Sequence, residues 1–375
     1  MTPFIFRLIR VRVLSFLCIF VFTISCSPQP KTNTLSEKLD SYFSQQYPSD
    51  QPGGAILVMR DTSIVFSKAY GLADLVTNDP ITSKTLFNLG SISKTFVANA
   101  VLILQEQGKL NVEDSLLKYF PDFKNKAIAQ KVKIKHLLTH TSGLPDNREV
   151  SKDSVFYLTA NDAQNWYPVT QTDTLEFEPG SQYNYSNPAF NGLALIVEQV
   201  SGQKWQDFIK EKIFIPSGMS TSTITDGAHP QTGVSHGYTK IANQWKEDDY
   251  GEEPTFCASG NGGVWSSTEE LARYEIALRQ SSFLTSNSIN ESRMIKPFSN
   301  WTATKPADRG WSWQIVDTKG GNTAEHTGHQ GGFAANYISF PEKGILIVML
   351  HNAPYDVYAY REKIISILEE EQWFR

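Results

Sequence analysis

Apolar positions along the chain change their spacing three times. Leu35, Leu39 and Phe43 recur at helical spacing ahead of Pro48, which predicts an amphipathic helix. Two short apolar runs, 55–58 and 64–66, flank Arg60-Asp61-Thr62 and predict a β-hairpin. From Phe96 to Leu104 nearly every residue is apolar and Gly108 is placed to stop the segment, so this helix is expected to be buried on all sides. The middle of the chain, about 116–280, mixes amphipathic helices with loops rich in Ser, Thr, Asn and Pro. Within it, 188–200 reads as a helix with Pro188 in its first turn and Gly202 beyond its end. Ser267 and Glu270 read as a capping box ahead of Leu271, Tyr274 and Leu278. Strand patterns then return. Trp311, Trp313 and Ile315 alternate, 334–340 and 345–350 flank a Pro341-Glu342-Lys343-Gly344 turn, and 358–368 closes the chain as a helix.

Strands at both ends with helices between them predict an α/β (α+β) fold. Its mainly antiparallel sheet is assembled from both termini, and a helical lobe is inserted between them. The expected domain spans 34–375, with an α/β lobe at about 34–90 and 305–375, a helical lobe at about 91–304, and a site at their seam. Of the 375 residues, 40% are hydrophobic and 19% charged, which is the composition of a folded chain with a sizeable core. A net charge of -5 argues against a phosphate-binding face, so no nucleic-acid partner is expected.

The first residues follow another logic. Arg7, Arg10 and Arg12 precede an apolar run over 13–22, followed by Thr23-Ile24-Ser25-Cys26. This is the layout of a signal peptide over 1–25, of the lipoprotein type, with Cys26 as the lipidated residue. Residues 26–33 read as a tether, and the apolar run falls short of the ~20 residues that span a bilayer. The expectation is an exported chain, lipid-anchored at the bacterial cell envelope or periplasm. A lipidated Cys26 leaves Cys257 without a disulfide partner, and Cys257 reads as a small buried residue.

Chemistry is suggested first by Ser91 and Lys94. A lysine three residues after a serine shares its helical face, so the amine can reach the hydroxyl. The chain holds two more such pairs, Ser115 with Lys118 and Ser201 with Lys204, so spacing alone does not choose among them. Two later clusters do. Tyr185-Ser186-Asn187 stands just before a predicted helix, and His326-Thr327-Gly328 just before a predicted strand.

The ordered trio resembles the serine β-lactamases and penicillin-binding proteins, in the branch with Tyr-x-Asn. That branch, class C β-lactamase-like, includes esterases, D-alanyl-D-alanine carboxypeptidases and D-aminopeptidases. The likeness extends over 134–145 (IKHLLTHTSGLP), 215–219 (IPSGM) and Gly262-Gly263. It implies a β-lactamase/transpeptidase-like fold and a serine hydrolase. Ser91 would be the nucleophile, Lys94 and Tyr185 the proton-transfer residues, Asn187, His326, Thr327 and Gly328 substrate-binding residues, and the amides of Ser91 and His329 the oxyanion hole. His326 departs from the lysine that penicillin-binding proteins carry there. A histidine is mostly neutral near pH 7, which shifts the expectation from β-lactams toward an ester, a peptidoglycan-derived or a D-amino-acid amide substrate. A β-lactamase or carboxypeptidase, and a non-catalytic sensor on the same scaffold, are the competing readings.

No cofactor is implied. His136, His140, His229, His236 and His351 lack metal-ligand spacing, and His140 reads as part of a structural loop. Gly260, Gly262 and Gly263 do not lead from a strand into a helix as a phosphate loop would.

Overall fold

Thr34 starts the folded unit, Thr34–Arg375, as a helix cap. Its hydroxyl accepts the Glu37 amide at 3.3 Å and the Glu37 carboxylate accepts the Thr34 amide at 2.8 Å. Two donors that a helix start leaves open are thereby satisfied. The computed structural model describes Met1 and residues 34–148, 159–226, 229–248 and 257–375; the expected leader, the tether and Cys26 lie outside the described residues.

Helix α1 (Leu35–Gln46) buries Leu35, Leu39 and Phe43. Strands β1 (Gly54–Arg60) and β2 (Ser63–Tyr70) form the first hairpin. The helical section contains α2 (Ser93–Glu106), α3 (Asp162–Thr170), α4 (Asn187–Ser201) and α5 (Thr268–Arg279). It is followed by β3 (Gln314–Thr318), β4 (Gly321–Gln330), β5 (Phe333–Phe340), β6 (Ile345–His351) and α6 (Val357–Glu370). Strand β6 pairs antiparallel with β1, Gly54 opposite His351 and Arg60 opposite Ile345, which brings both ends of the chain into one sheet of order β3-β4-β5-β6-β1-β2.

Alternation along these strands makes two cores. Ala55, Leu57 and Met59 of β1, with Leu346, Val348 and Leu350 of β6, face α2 and the helical section. Ile56, Val58, Ile345, Ile347 and Met349 face α1 and α6. Because both faces are buried, a one-residue slip would exchange the two sets and break both cores at once.

Three local expectations differ from the structure. Trp311 and Trp313 are buried but precede β3 rather than belonging to it. Ser312 lies at φ 69°, and the Gly310 amide donates to the Trp313 carbonyl at 2.9 Å, so a turn interrupts the alternating pattern. The Ser267 hydroxyl accepts the Glu270 amide, but the Glu270 carboxylate does not reach back. It accepts the amides of Thr221 and Ser222 at 2.9 and 2.7 Å, two backbone donors that outcompete the box. His326-Thr327-Gly328 stands ahead of the expected strand, β5, but itself lies inside another strand, β4, that the sequence pattern did not mark.

Glu275 ties α5 to the sheet. It has no exposed surface and accepts from Arg293 at 2.6 Å, Arg279 at 3.0 Å, Ser339 at 2.7 Å and the Tyr337 hydroxyl. Burial alone would push its pKa up, but the Arg293 and Arg279 charges and the Tyr337 bond hold it down at about 2. Glu275→Ala is expected to cost about 3–5 kcal/mol in urea unfolding, because the Arg293 guanidinium is left buried and unpaired. The sign of the pH dependence follows from the depressed value. The stabilisation is complete above the unfolded carboxyl's 4.5 and is lost as pH falls toward about 2. The variant should therefore lose the acid-side slope that the parent shows in that window.

Candidate active site

The turn carrying Ser91 is a 3-10 segment, Gly90–Ile92, that runs directly into α2, so Ser91 and Lys94 straddle a helix start. Gly90 adopts φ 50° and donates its amide to the Asn88 side chain at 2.7 Å, which sets the sharp entry. Lys94 is fully buried in the first turn of a helix whose residues 93–104 are all buried. An amine held there has little freedom to move.

Lys94 Nζ lies 2.9 Å from Ser91 Oγ and donates to the Asn261 carbonyl at 2.7 Å. Burial first, and the Arg148 charge second, lower its pKa well below the usual lysine range. A neutral amine at that distance can accept the serine proton. The two look-alike pairs differ on this point. Lys118 is salt-bridged to Asp114 and Lys204 to Glu198, each at 2.8 Å, and these partners raise both pKa values. Both lysines therefore stay charged and solvated, unable to act as bases near neutral pH.

The Asn261 carbonyl is delivered by a one-turn helix, Ser259–Gly262, pinned from beneath. Asp162 Oδ1 accepts the Gly260 amide at 2.9 Å and the Asn191 side-chain amide at 2.6 Å, while Oδ2 accepts the Trp205 indole at 2.9 Å. Asn261 in turn donates to Asn191 Oδ1 at 2.9 Å. A Cβ at Gly260 would meet Ala194 at 2.8 Å, so only glycine lets this backbone sit so close to α4.

Tyr185 stands just ahead of α4, whose cap is Ser186 accepting the Ala189 amide. Its side chain is 40% exposed, yet its hydroxyl is embedded and interacts with the Ser91 side chain. Burial raises the phenol pKa, against the lowering effect of that contact. Asn187 begins α4 half-buried. Among the described residues the hydrogen-bond partners of Lys94 are Ser91 and the Asn261 carbonyl, which is the acceptor that orients the amine.

Strand β4 supplies the opposite wall. A Cβ at Gly328 would sit 1.9 Å from the Leu89 carbonyl oxygen and 3.2 Å from the Ser91 amide nitrogen, and one at Gly90 would sit 2.6 Å from the His329 nitrogen. Two glycines thus let the strand approach the serine turn until the Ser91 and His329 amides border one groove. His326 is buried, and its Nδ1 lies 2.6 Å from the Thr327 carbonyl. A carbonyl only accepts, so Nδ1 carries the proton. Burial brings the ring's pKa down to about 3. His326 is therefore neutral, with Nε2 as an acceptor.

These groups surround a cleft of about 310 Å³, lined also by His140, Tyr183, Arg309, Glu325, Thr327 and Tyr358. Arg309 lies over the Tyr183 ring at 4.5 Å and brings a fixed positive charge to the wall. Glu325 is paired with Arg361 at 2.9 Å. A larger cleft of about 540 Å³ lies between Lys84, Thr221, Glu269 and Arg273, away from the place where the three motifs meet.

Sequence reasoning missed Asn261, His140 and Arg309 as parts of this site. The first acts through its backbone, and the glycines at 260, 262 and 263 were its only trace. His140 lies inside the 134–145 segment, where it reads as part of a structural loop, and Arg309 has no motif around it. Cys257 is buried as expected, and burial raises its thiol pKa.

The chain is similar to known proteins. Residues 39–370 match the family model described as Beta-lactamase. A penicillin-binding protein of Bacillus subtilis is 28% identical over 354 residues, 88% of this chain and 74% of its own. A putative D-alanyl-D-alanine carboxypeptidase of Escherichia coli O157:H7 is 27% identical over 375 residues, 89% of this chain and 86% of its own. The fold superposes on a penicillin-binding protein structure from Bacillus halodurans with a TM-score of 0.73 at 23% identity, covering 90% and 99% of the two chains.

Proposed function

The chain belongs to the Beta-lactamase family, whose members are serine hydrolases, and from that premise we propose that it cleaves a carboxylate-bearing amide or ester through an acyl-enzyme on Ser91. The observation that carries this reading is the buried Lys94 amine 2.9 Å from Ser91 Oγ, its pKa held well below the usual lysine range by burial. As Ser91 attacks the carbonyl carbon, its proton passes to Lys94; Tyr185, whose phenol keeps its own proton, serves as a relay that gives that proton up on one side as it takes one on the other. A proton goes to the departing amine or alkoxide, and water then releases the acyl group by the reverse sequence. The Ser91 and His329 amides hold the oxyanion, a pair in which each donor contributes ~2.7–4 kcal/mol to lowering the barrier.

A neutral His326 supplies no charge for a carboxylate, which on sequence alone moved the expectation from β-lactams toward an ester or a D-amino-acid amide. Arg309 changes that balance, because it is the fixed cation among the described residues lining the cleft. A guanidinium there can take a carboxylate in a two-point bond. Together with the likeness to a D-alanyl-D-alanine carboxypeptidase, this favours a peptidoglycan-type D-peptide or D-amino-acid amide over an uncharged ester. It also keeps a β-lactam, itself a carboxylate-bearing amide, as the second reading. Activity at the bacterial envelope, with Cys26 as a lipid anchor, fits the leader-like sequence.

Arg309→Ala tests the substrate class. For D-peptides with a free carboxylate, KM should rise about 10-fold or more while kcat changes little, the pattern of lost ground-state binding. For the corresponding methyl esters the two proteins should match. Equal KM increases for charged and uncharged substrates would remove Arg309 from carboxylate recognition.

A further inference from the structure

His140 holds the segment that carries Tyr185 at three points. Its carbonyl accepts the Asn184 amide at 2.9 Å, and its Nδ1 accepts the Ser186 amide at 3.0 Å. Its ring stacks on the Tyr185 ring with centroids 4.3 Å apart and planes 26° apart. The residues on either side of the tyrosine and the tyrosine ring itself are thus all bound to one side chain and its own backbone.

Keeping a histidine there carries a cost. His140 is 3% exposed and sits at φ 57°, a left-handed conformation that residues with a Cβ avoid. A backbone N–H can only donate, so Nδ1 is the unprotonated nitrogen and the neutral ring carries its hydrogen on Nε2. That Nε2 is buried and has no partner among the described residues. A buried donor without a partner costs about 1–3 kcal/mol. An apolar ring would fill the same space without that cost, but it would leave the Ser186 amide open instead. Strain and an unsatisfied group held beside a reactive side chain point to a role in the site.

We propose that His140 is a positioning residue for Tyr185: by binding the Asn184 and Ser186 amides and stacking on the ring, it fixes the phenol within reach of Ser91. The inference rests on the reading of Tyr185 as a proton carrier. It addresses a mechanical need, since Tyr185 lies in the connection ahead of α4 and the residue is partly exposed. Without the clamp the ring can turn outward, and a displacement of about 1 Å at a proton-transfer group can cost ~100-fold in rate.

The test is a double-mutant cycle on the full chain with an activated phenyl ester, which keeps slow variants measurable. His140→Phe keeps a ring to stack but removes the acceptor for Ser186. His140→Asn places Oδ1 near the Nδ1 position, tolerates a positive φ, and removes the stack. We expect His140→Phe to lower kcat by about 100-fold with KM within about 3-fold, and His140→Asn to recover part of that loss. In a Tyr185→Phe background either substitution should cost less than about 2-fold, because the group it positions is already gone. If His140→Phe does not fold, His140→Asn completes the same cycle. An undiminished loss in the Tyr185→Phe background overturns the inference, as does wild-type kcat in both His140 variants. Wild-type kcat in Tyr185→Phe alone overturns the underlying reading of Tyr185 instead.

Discussion

Ser91→Ala is expected to lower kcat by roughly a millionfold on any acyl substrate while leaving KM within a few-fold of the parent. The loss is that large because the reaction has one nucleophile, and the neighbouring hydroxyls lack its base. Ser93 is fully buried and accepts the Val264 amide at 3.0 Å, and Ser115 and Ser201 stand beside charged lysines. KM is spared because Arg309 and the β4 wall are untouched. The fold is spared as well, since Lys94 keeps its bond to the Asn261 carbonyl. Steady-state kinetics with thermal melts of both proteins check the result. A loss below about 100-fold would mean that another residue forms the acyl-enzyme.

Lys94→Met is expected to cost about 1,000- to 10,000-fold in kcat/KM, the upper range for removing a general base. It should also make the protein more stable at pH 7. The folded-state pKa of Lys94 lies below the unfolded value of 10.5, with burial as the first cause. Between the two values the unfolded chain binds the extra proton, so the lysine destabilises the fold there and the penalty grows as pH falls. Methionine fills much of the same volume without a charge to desolvate. The parent's kcat/KM should rise with pH to a plateau reached well below 10.5, and the variant's residual rate should lack that limb. A variant that melts lower than the parent, or one that keeps the limb, would contradict a neutral Lys94.

Sequence legibility tracked how each residue acts. The buried helix behind Ser91 could be read from its unbroken apolar run, and the sheet from hairpins at both ends, because burial leaves a pattern in side-chain types. Ser91, Lys94 and Tyr185 could be picked out as candidates, and the structure brings them together, because a chemical role demands a particular side chain in a particular order. Asn261 escaped because its carbonyl would be there with any residue, and what places it is the distant Asp162–Asn191 network. His140 and Arg309 escaped because their meaning comes from contacts across 46 positions to Ser186 in one case and with the Tyr183 ring in the other. Trp311 and Trp313 misled because apolar and polar residues alternate there as in a strand, although all three residues 311–313 are buried in a turn. Only the left-handed Ser312 between them decides.

The central claim is that the substrate's acyl group bonds to Ser91. Intact-mass and peptide mapping of the protein after reaction with a fluorophosphonate tests it most directly. The account predicts one adduct per chain, located on the peptide containing Ser91, absent from Ser91→Ala and strongly slowed in Lys94→Met. An adduct on Ser115, Ser201 or any other residue at the parent's rate, or equal labelling of Ser91→Ala, would contradict it.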